Sequence, residues 1–399
     1  MTFLPTRTHA LERLASFVPK AGADYARLRN FDLGPGAHRH VSTLSPYLRT
    51  RLLTEEEVLR AVLGRHSAQA AEKFVQEVFW RTYWKGWLEM RPSVWASYRA
   101  RLTQLQNRLA TESGLRQNWE SACLGQTGIA AFDDWAKELT ETGYMHNHAR
   151  MWFASIWIFT LGLRWELGAD FFLRHLLDAD AASNTLSWRW VAGLHTQGKT
   201  YLATAENIAR YTEGRHRPSG LAPFADPLTE PPNPPRSALP LSDTAPEAQR
   251  IGLILHDEDL APDFLLSGHG IHPEATLLLT ARKGLSPFHV APQPLAFSEA
   301  ALADTTSRWS ARLGPVSSPA STPDVLVSWA HDMGLTTLVT PYAPVGPTAD
   351  LFASAKPKLA AHGIRLAQIQ RPFDARAWPY ATHGFFRFKE AIPKLLQTL

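Results

Sequence analysis

The chain has 399 residues, 45% hydrophobic and 20% charged, which is enough apolar material for two or three domains with a sizeable core. One cysteine, Cys123, excludes an intrachain disulfide, fits a reducing cytoplasm and reads as an ordinary buried thiol. The net charge of +4 is uneven: residues 1–217 hold 27 Lys and Arg against 21 Asp and Glu, and the remainder holds 14 against 16. An arginine-rich first half permits contact with phosphates without requiring it.

The N-terminus lacks the apolar core of a signal peptide. Residues 48–63 are periodic, with Thr54 as a helix N-cap before Glu55, Glu56 and Glu57. Residues 68–90 predict a long helix stopped by Pro92, and residues 132–142 another, closed by Gly143. At least two more helices fall between Gly143 and Trp190. Residues 152–163 are apolar but too short to span a bilayer and are flanked by Arg150 and Arg164, so they read as a core helix with no membrane role.

Residues 217–248 read as a linker, since the run Pro231-Pro232-Asn233-Pro234-Pro235 favours an extended chain. Beyond it the period changes. Residues 251–255, 276–280, 337–340 and 364–367 are short apolar runs suited to buried parallel strands, and residues 298–313 and 349–362 are helical. The expected fold class is therefore α plus α/β: an all-helical domain over 1–216, a linker over 217–248, and a smaller open parallel-sheet α/β domain over 249–399. Asp257-Glu258-Asp259, just after the first strand, is expected to be a solvated loop. The aromatic and cationic segment from Trp378 to Lys389 is expected to pack between domains.

Two helical constellations carry chemistry. Asn147, Arg150 and Met151 are spaced to share one face. A buried Arg150 needs a partner, and Asp178 and Asp180, near Asn184, are the natural ones. Glu77, Trp80 and Arg81 likewise share a face. Taken singly, each is as well explained by a structural ion pair, a cap or a core indole.

Taken in order, they are not. The run Gly143-Tyr144-Met145-His146-Asn147-His148-Ala149-Arg150-Met151 leads through Trp165 and Gly168. It continues to Asp178-Ala179-Asp180-Ala181-Ala182-Ser183-Asn184 and ends on Trp188-Arg189-Trp190. This order resembles the flavin-binding core of the photolyase/cryptochrome family, whose helical domain holds FAD. The resemblance covers roughly residues 25–215. By it, Tyr25 and the loop Ser42, Thr43, Leu44 and Ser45 would meet the flavin phosphates. Arg81, Asn147, Arg150, Asp178, Asp180 and Asn184 would surround the ring system, with Asn184 accepting a hydrogen bond from N5 of reduced flavin. Glu77, Trp80, Asn147, Met151 and Trp190 would contact a flipped pyrimidine dimer. Trp188 and then Trp165 would pass electrons to the flavin, with no clear third member among Trp119, Trp152 and Trp157.

The resemblance implies FAD-dependent, light-driven repair of cyclobutane pyrimidine dimers in DNA, a lyase activity on UV-damaged DNA. The alternative it leaves open is a cryptochrome-like blue-light photoreceptor without repair. It leaves the antenna chromophore unknown. The chain departs from the family at Val41-Ser42, where Thr-Ser is usual, and at Leu186-Ser187, where Gly-Gly is usual. It also places its α/β part last instead of first.

Overall fold

The computed structural model describes residues 2–247 and 250–399. Its first half is helical. Thr54 forms a reciprocal capping box with Glu57 and starts the helix Glu55–Leu63. The periodic stretch 48–63 is not one helix, because a turn at Thr50–Leu53 separates this helix from the single turn Ser45–Arg49. Arg51 lies in that turn at φ +53°, a backbone conformation no helix interior can hold. The long helix runs Glu72–Glu89 and ends before Pro92, as the sequence predicts.

Gly143 closes Ala130–Thr142 in the left-handed conformation at φ +67°, and its N–H reaches Leu139 O at 2.9 Å. A Cβ there would lie 2.7 Å from Leu177 Cγ, so a residue other than glycine would push away the loop carrying Asp178. Residues 152–163 are not one regular helix. Asn147–Ser155 passes into a π-helical turn at Ile156–Thr160, still mostly buried. Trp165–His175 and Ala181–Val191 follow.

Residues 217–247 carry no helix or strand, but they are pinned to the helical surface. Glu230 accepts from Trp165 Nε1 at 2.9 Å and from Arg189 Nη1 at 2.8 Å, and Asn233 donates to His195 O at 3.0 Å.

The second half is a five-stranded sheet, all parallel, in the order β3-β2-β1-β4-β5. Its strands are β1 (Ile251–His256), β2 (Ala275–Leu279), β3 (Val316–Ala320), β4 (Thr337–Pro341) and β5 (Arg365–Ile369). Every residue of β1 and β4 is buried, as expected of central strands covered on both faces. The helices predicted over 298–313 and 349–362 are present as Pro292–Trp309 and Pro347–Ala361. The edge strand β3 and the helix Pro323–Asp332 are additions to the sequence reading. β3 is mostly exposed and contains Pro319, so it lacks an apolar run. The helix does carry a legible start, with Thr322 accepting from Val325 N and Pro323 at its first position.

Asp257, Glu258 and Asp259 are not a solvated loop. All three are buried at the carboxyl end of β1 and paired to arginines. Arg49 donates to Asp257 Oδ2 at 2.7 Å and to Glu258 Oε1 at 2.8 Å. Arg51 reaches Asp259 at 3.0 Å and Asp374 at 2.6 Å, and Arg371 grips Asp259 through two nitrogens at 2.5 and 2.7 Å. Strand order reverses between β1 and β4, where open α/β sheets ordinarily leave a ligand crevice. Here the helical half fills that place with the Arg49 guanidinium. Among the described residues, no helix is long and apolar enough to cross a membrane.

Glu89, at the end of Glu72–Glu89, accepts from Tyr342 Oη at 2.7 Å and from Val345 N at 2.6 Å. Burial pushes its carboxyl from 4.5 up to about 7. The folded state thus keeps a proton that the unfolded chain releases between about pH 4.5 and 7, so this group's contribution to stability falls as pH rises through that window. Glu89→Gln should gain about 2 kcal/mol on wild type between pH 5 and pH 8, read by urea unfolding at both values.

Candidate functional site

The wall formed by residues 42–45 begins with strain. Thr43 sits at φ +52°, costly for a β-branched side chain. It is held there by its hydroxyl, which accepts from Arg13 Nη1 at 2.8 Å and donates to Ser42 O at 2.7 Å. The Leu44 N–H turns back to Ser42 Oγ at 3.3 Å. Tyr25 is buried edge-on against Phe74, with ring centroids 5.2 Å apart.

Glu72–Glu89 supplies the second wall. Its period puts Glu77, Trp80 and Arg81 on one face, as expected, but Glu77 and Arg81 do not pair with each other. Glu77 binds Arg29, a residue the sequence did not single out, and Arg81 binds Asp180. Burial pushes the Glu77 carboxyl above its ordinary range, against the pull of Arg29. Trp80 is half-buried, and one face is covered by Phe385, stacked at 3.6 Å and 11°. The packing expected for the Trp378–Lys389 segment is therefore present, and it falls on this wall.

The third wall is the helix Asn147–Ser155 with the turn between Trp165–His175 and Ala181–Val191. Arg150 binds Asp178 through two nitrogens at 3.2 and 3.0 Å and donates Nε to Met145 O at 2.9 Å. Asp180 caps its helix by accepting from Ser183 N at 2.7 Å. Burial opposes the ionisation of both acids. Arg150 and Arg81 at Asp178, and Arg81 and Lys85 at Asp180, more than offset it and hold each below the usual carboxylate range. Asn184 donates its amide nitrogen to Ala169 O at 2.8 Å, which leaves Oδ1 as its acceptor toward open space.

These walls enclose a cavity of about 560 Å³. Tyr25, Ser42, Thr43, Leu44, Ser45, Glu77, Trp80, Arg81, Asn147, Arg150, Met151, Asp178, Asp180, Asn184, Trp188 and Trp190 all line it. Trp165 is the predicted residue that does not. It is buried behind the wall, with its ring on Tyr98 at 5.6 Å. Among the described residues, the indole against Trp188 is Trp157, at 6.2 Å between ring centroids. Gly168 makes that approach possible, since a Cβ there would lie 2.3 Å from the Trp188 ring and 2.9 Å from Trp157.

Exposure is graded. Asn147 is exposed, Glu77, Trp80, Met151 and Trp190 are half-buried, and Asp178, Asp180, Asn184 and Trp188 are buried. The cavity thus has an amphipathic aromatic rim and a polar floor. Ser183 Oγ and Trp188 Nε1, on residues of its lining, have no protein partner among the described residues. Tyr144, Ser183 and Ser187, which belong to the quoted runs, also line it, as does Arg29, which carried no sequence signal.

One cluster has a ligand-like composition: Asp32, His38 and Glu138 bring donor atoms within 4.8 Å of one another. Arg215 and Trp135 already occupy Asp32 Oδ2 at 2.9 Å each, and His38 bonds Glu138 at 2.6 Å. A guanidinium beside Asp32 repels a divalent cation, and the cluster anchors the turn leading to Ser42.

Residues 74–214 match a family described as the FAD binding domain of DNA photolyase. The chain is 33% identical over 235 residues to a deoxyribodipyrimidine photo-lyase of Synechococcus sp., covering 53% of this chain and 46% of that one. It is 28% identical over 200 residues to one of Vibrio cholerae, covering 47% of this chain and 40% of that one. Among solved structures, a bacterial class III photolyase from Agrobacterium tumefaciens is similar at 26% identity and a TM-score of 0.44, covering 52% of this chain and 43% of that one. The matches span less than half the length of these relatives.

Removing Arg81 leaves Asp180 buried with its closest cation gone. Arg81→Ala should cost about 3 kcal/mol in urea unfolding. Adding Asp180→Asn should restore part of that loss, because the stranded charge goes with it.

Proposed function

We propose, from the match of residues 74–214 to the FAD binding domain of DNA photolyase, that the chain belongs to the photolyase/cryptochrome family and that its cavity holds FAD and uses it for light-driven repair of cyclobutane pyrimidine dimers in DNA. The observation that carries the reading is the grading of a single cavity from an aromatic rim to an ionised floor. The floor fits a flavin, with an unpartnered Ser183 hydroxyl and a free Asn184 Oδ1 beside the Arg150–Asp178 and Arg81–Asp180 pairs. Bound there, FAD supplies light absorption and one-electron transfer.

This chain's own residues do the rest. Tyr25 and the loop from Ser42 to Ser45 would hold the phosphates. Asp180 and Asn184 would hold the polar edge of the ring system, with Asn184 an acceptor because its amide nitrogen is already committed. Arg150 and Arg81 keep both acids ionised and in place. At the rim, Trp80 and Trp190 offer ring faces, Met151 an adaptable apolar contact and Asn147 an amide. Glu77, at the rim and paired with Arg29, would offer a carboxyl to a base edge. The site positions substrate and cofactor and excludes water from the floor.

A blue-light photoreceptor without repair is the competing reading. It is favoured by the engagement of Glu77 with Arg29 and of one Trp80 face with Phe385.

The absorption spectrum of the purified protein tests the cofactor. A protein that is colourless and takes up no added FAD refutes the reading. Trp188→Phe should keep the flavin spectrum while slowing photoreduction at least tenfold, as read by flash spectroscopy, because Trp188 is the indole on the cavity wall next to Asn184.

Trp80→Ala should weaken binding of UV-irradiated oligonucleotide about tenfold or more, since base–aromatic stacking is worth about 1–3 kcal/mol. Undamaged DNA, held mainly through phosphates, should bind almost as before. Paired titrations, with a light-dependent repair assay, decide between repair and photoreception.

A further inference from the structure

The short helix Phe385–Lys389 alternates what it buries. Phe385 and Phe388 are 5% and 0% exposed, whereas Phe386 between them is 83% exposed, and Arg387 projects to solvent. The segment is firmly mounted. Phe385 lies flat on Trp80 at 3.6 Å, Phe388 meets Tyr83 at 5.5 Å, and the Tyr83 hydroxyl donates to His383 O at 2.7 Å. Lys389 is committed to Glu72 at 2.7 Å, while Arg387 makes no ion pair among the described residues. A whole phenyl ring is therefore held in water, next to a cation, one residue from the ring that backs an aromatic wall of the cavity. Such a ring gains nothing from the fold that exposes it.

Extruding nucleotides from a duplex leaves a gap bounded by stacked bases, and proteins that distort DNA fill such steps with apolar side chains. We propose that Phe386 occupies the gap in duplex DNA from which the damaged bases leave for the cavity, with Arg387 on a flanking phosphate. This rests on the repair reading and adds a DNA contact that lies outside the matched residues 74–214. Phe385 is then the link between the two events, since the ring that backs Trp80 is rigidly joined to the ring that enters the gap.

The test compares binding of one irradiated sequence as single strand and as duplex, with 2-aminopurine opposite the lesion to report extrusion. Phe386→Ala should weaken irradiated duplex about tenfold, reduce the 2-aminopurine signal and leave irradiated single strand and the flavin spectrum unchanged. Phe386→Leu, which keeps an apolar wedge, should recover most of the loss. Arg387→Gln should weaken damaged and undamaged duplex equally and lower the salt slope by about 0.9. A wild type that discriminates irradiated DNA while Phe386→Ala is unchanged on duplex, or equally impaired on single strand, overturns the proposal alone. A wild type with no preference for irradiated DNA overturns the repair reading and this proposal with it.

Discussion

The Arg49 guanidinium is the contact on which the rest of the structure depends. Three of its edges point in different directions: Nε to Ala179 O at 3.2 Å, Nη1 to Asp257 and Nη2 to Glu258. Ala179 stands between Asp178 and Asp180, so the residue that fills the reversal point of the sheet also holds the backbone of the cavity floor. Arg282, at 2% exposure, approaches the same loop from the sheet side and donates to Leu176 O at 2.5 Å and Leu177 O at 3.2 Å. Burial and the neighbouring Arg49 charge pull Arg282 down to about 9, offset in part by Asp257, Glu258 and Asp178. A buried guanidinium is tolerated only while its partners stay in place, and loss of a partner typically costs about 3–5 kcal/mol. The network therefore contributes less to net stability than to geometry: it makes one arrangement of the two halves far better than its neighbours.

That geometry matters because the floor is made of loop. Asp178 and Asp180 lie in a short turn between two helices, a kind of segment that is ordinarily mobile. Here it is tied from several sides: Arg150 and Arg81 at the side chains, Arg49 and Arg282 at the carbonyls, and the Gly143 carbonyl receiving Leu177 N at 2.9 Å. A cavity floor held this way keeps fixed distances between its polar groups. The rim is made differently, from half-buried rings on helices, one of them propped by Phe385 from the far end of the chain.

Part of this was legible before any coordinates. Residues whose roles depend on local period or on a local cap were placed correctly: Thr54, Gly143, the face of Glu77, Trp80 and Arg81, and the face of Asn147, Arg150 and Met151. That Arg150 needs an acid was legible, because it lies in an apolar segment with Asp178 and Asp180 at hand; the structure pairs it with Asp178. Misreadings occurred where a residue's surroundings come from distant chain. Asp257, Glu258 and Asp259 look like a loop to be solvated, because the arginines that bury them lie far off in the chain, Arg49 and Arg51 about two hundred residues earlier and Arg371 about a hundred later. The strand β3 has no hydrophobic run, being an edge that needs none.

The amino-acid sequence by itself determined the helix-then-sheet order and which side chains share a helix face, because periodicity and caps act over a few residues; the full floor and rim sets were implied by the ordered resemblance. Tertiary structure alone decided which acid pairs with which arginine, that Glu77 answers to Arg29, that Trp157 and not Trp165 touches Trp188, and that Phe385 covers Trp80. Those choices depend on the direction of side chains across elements far apart in the chain, and direction is set by packing, which no local pattern encodes.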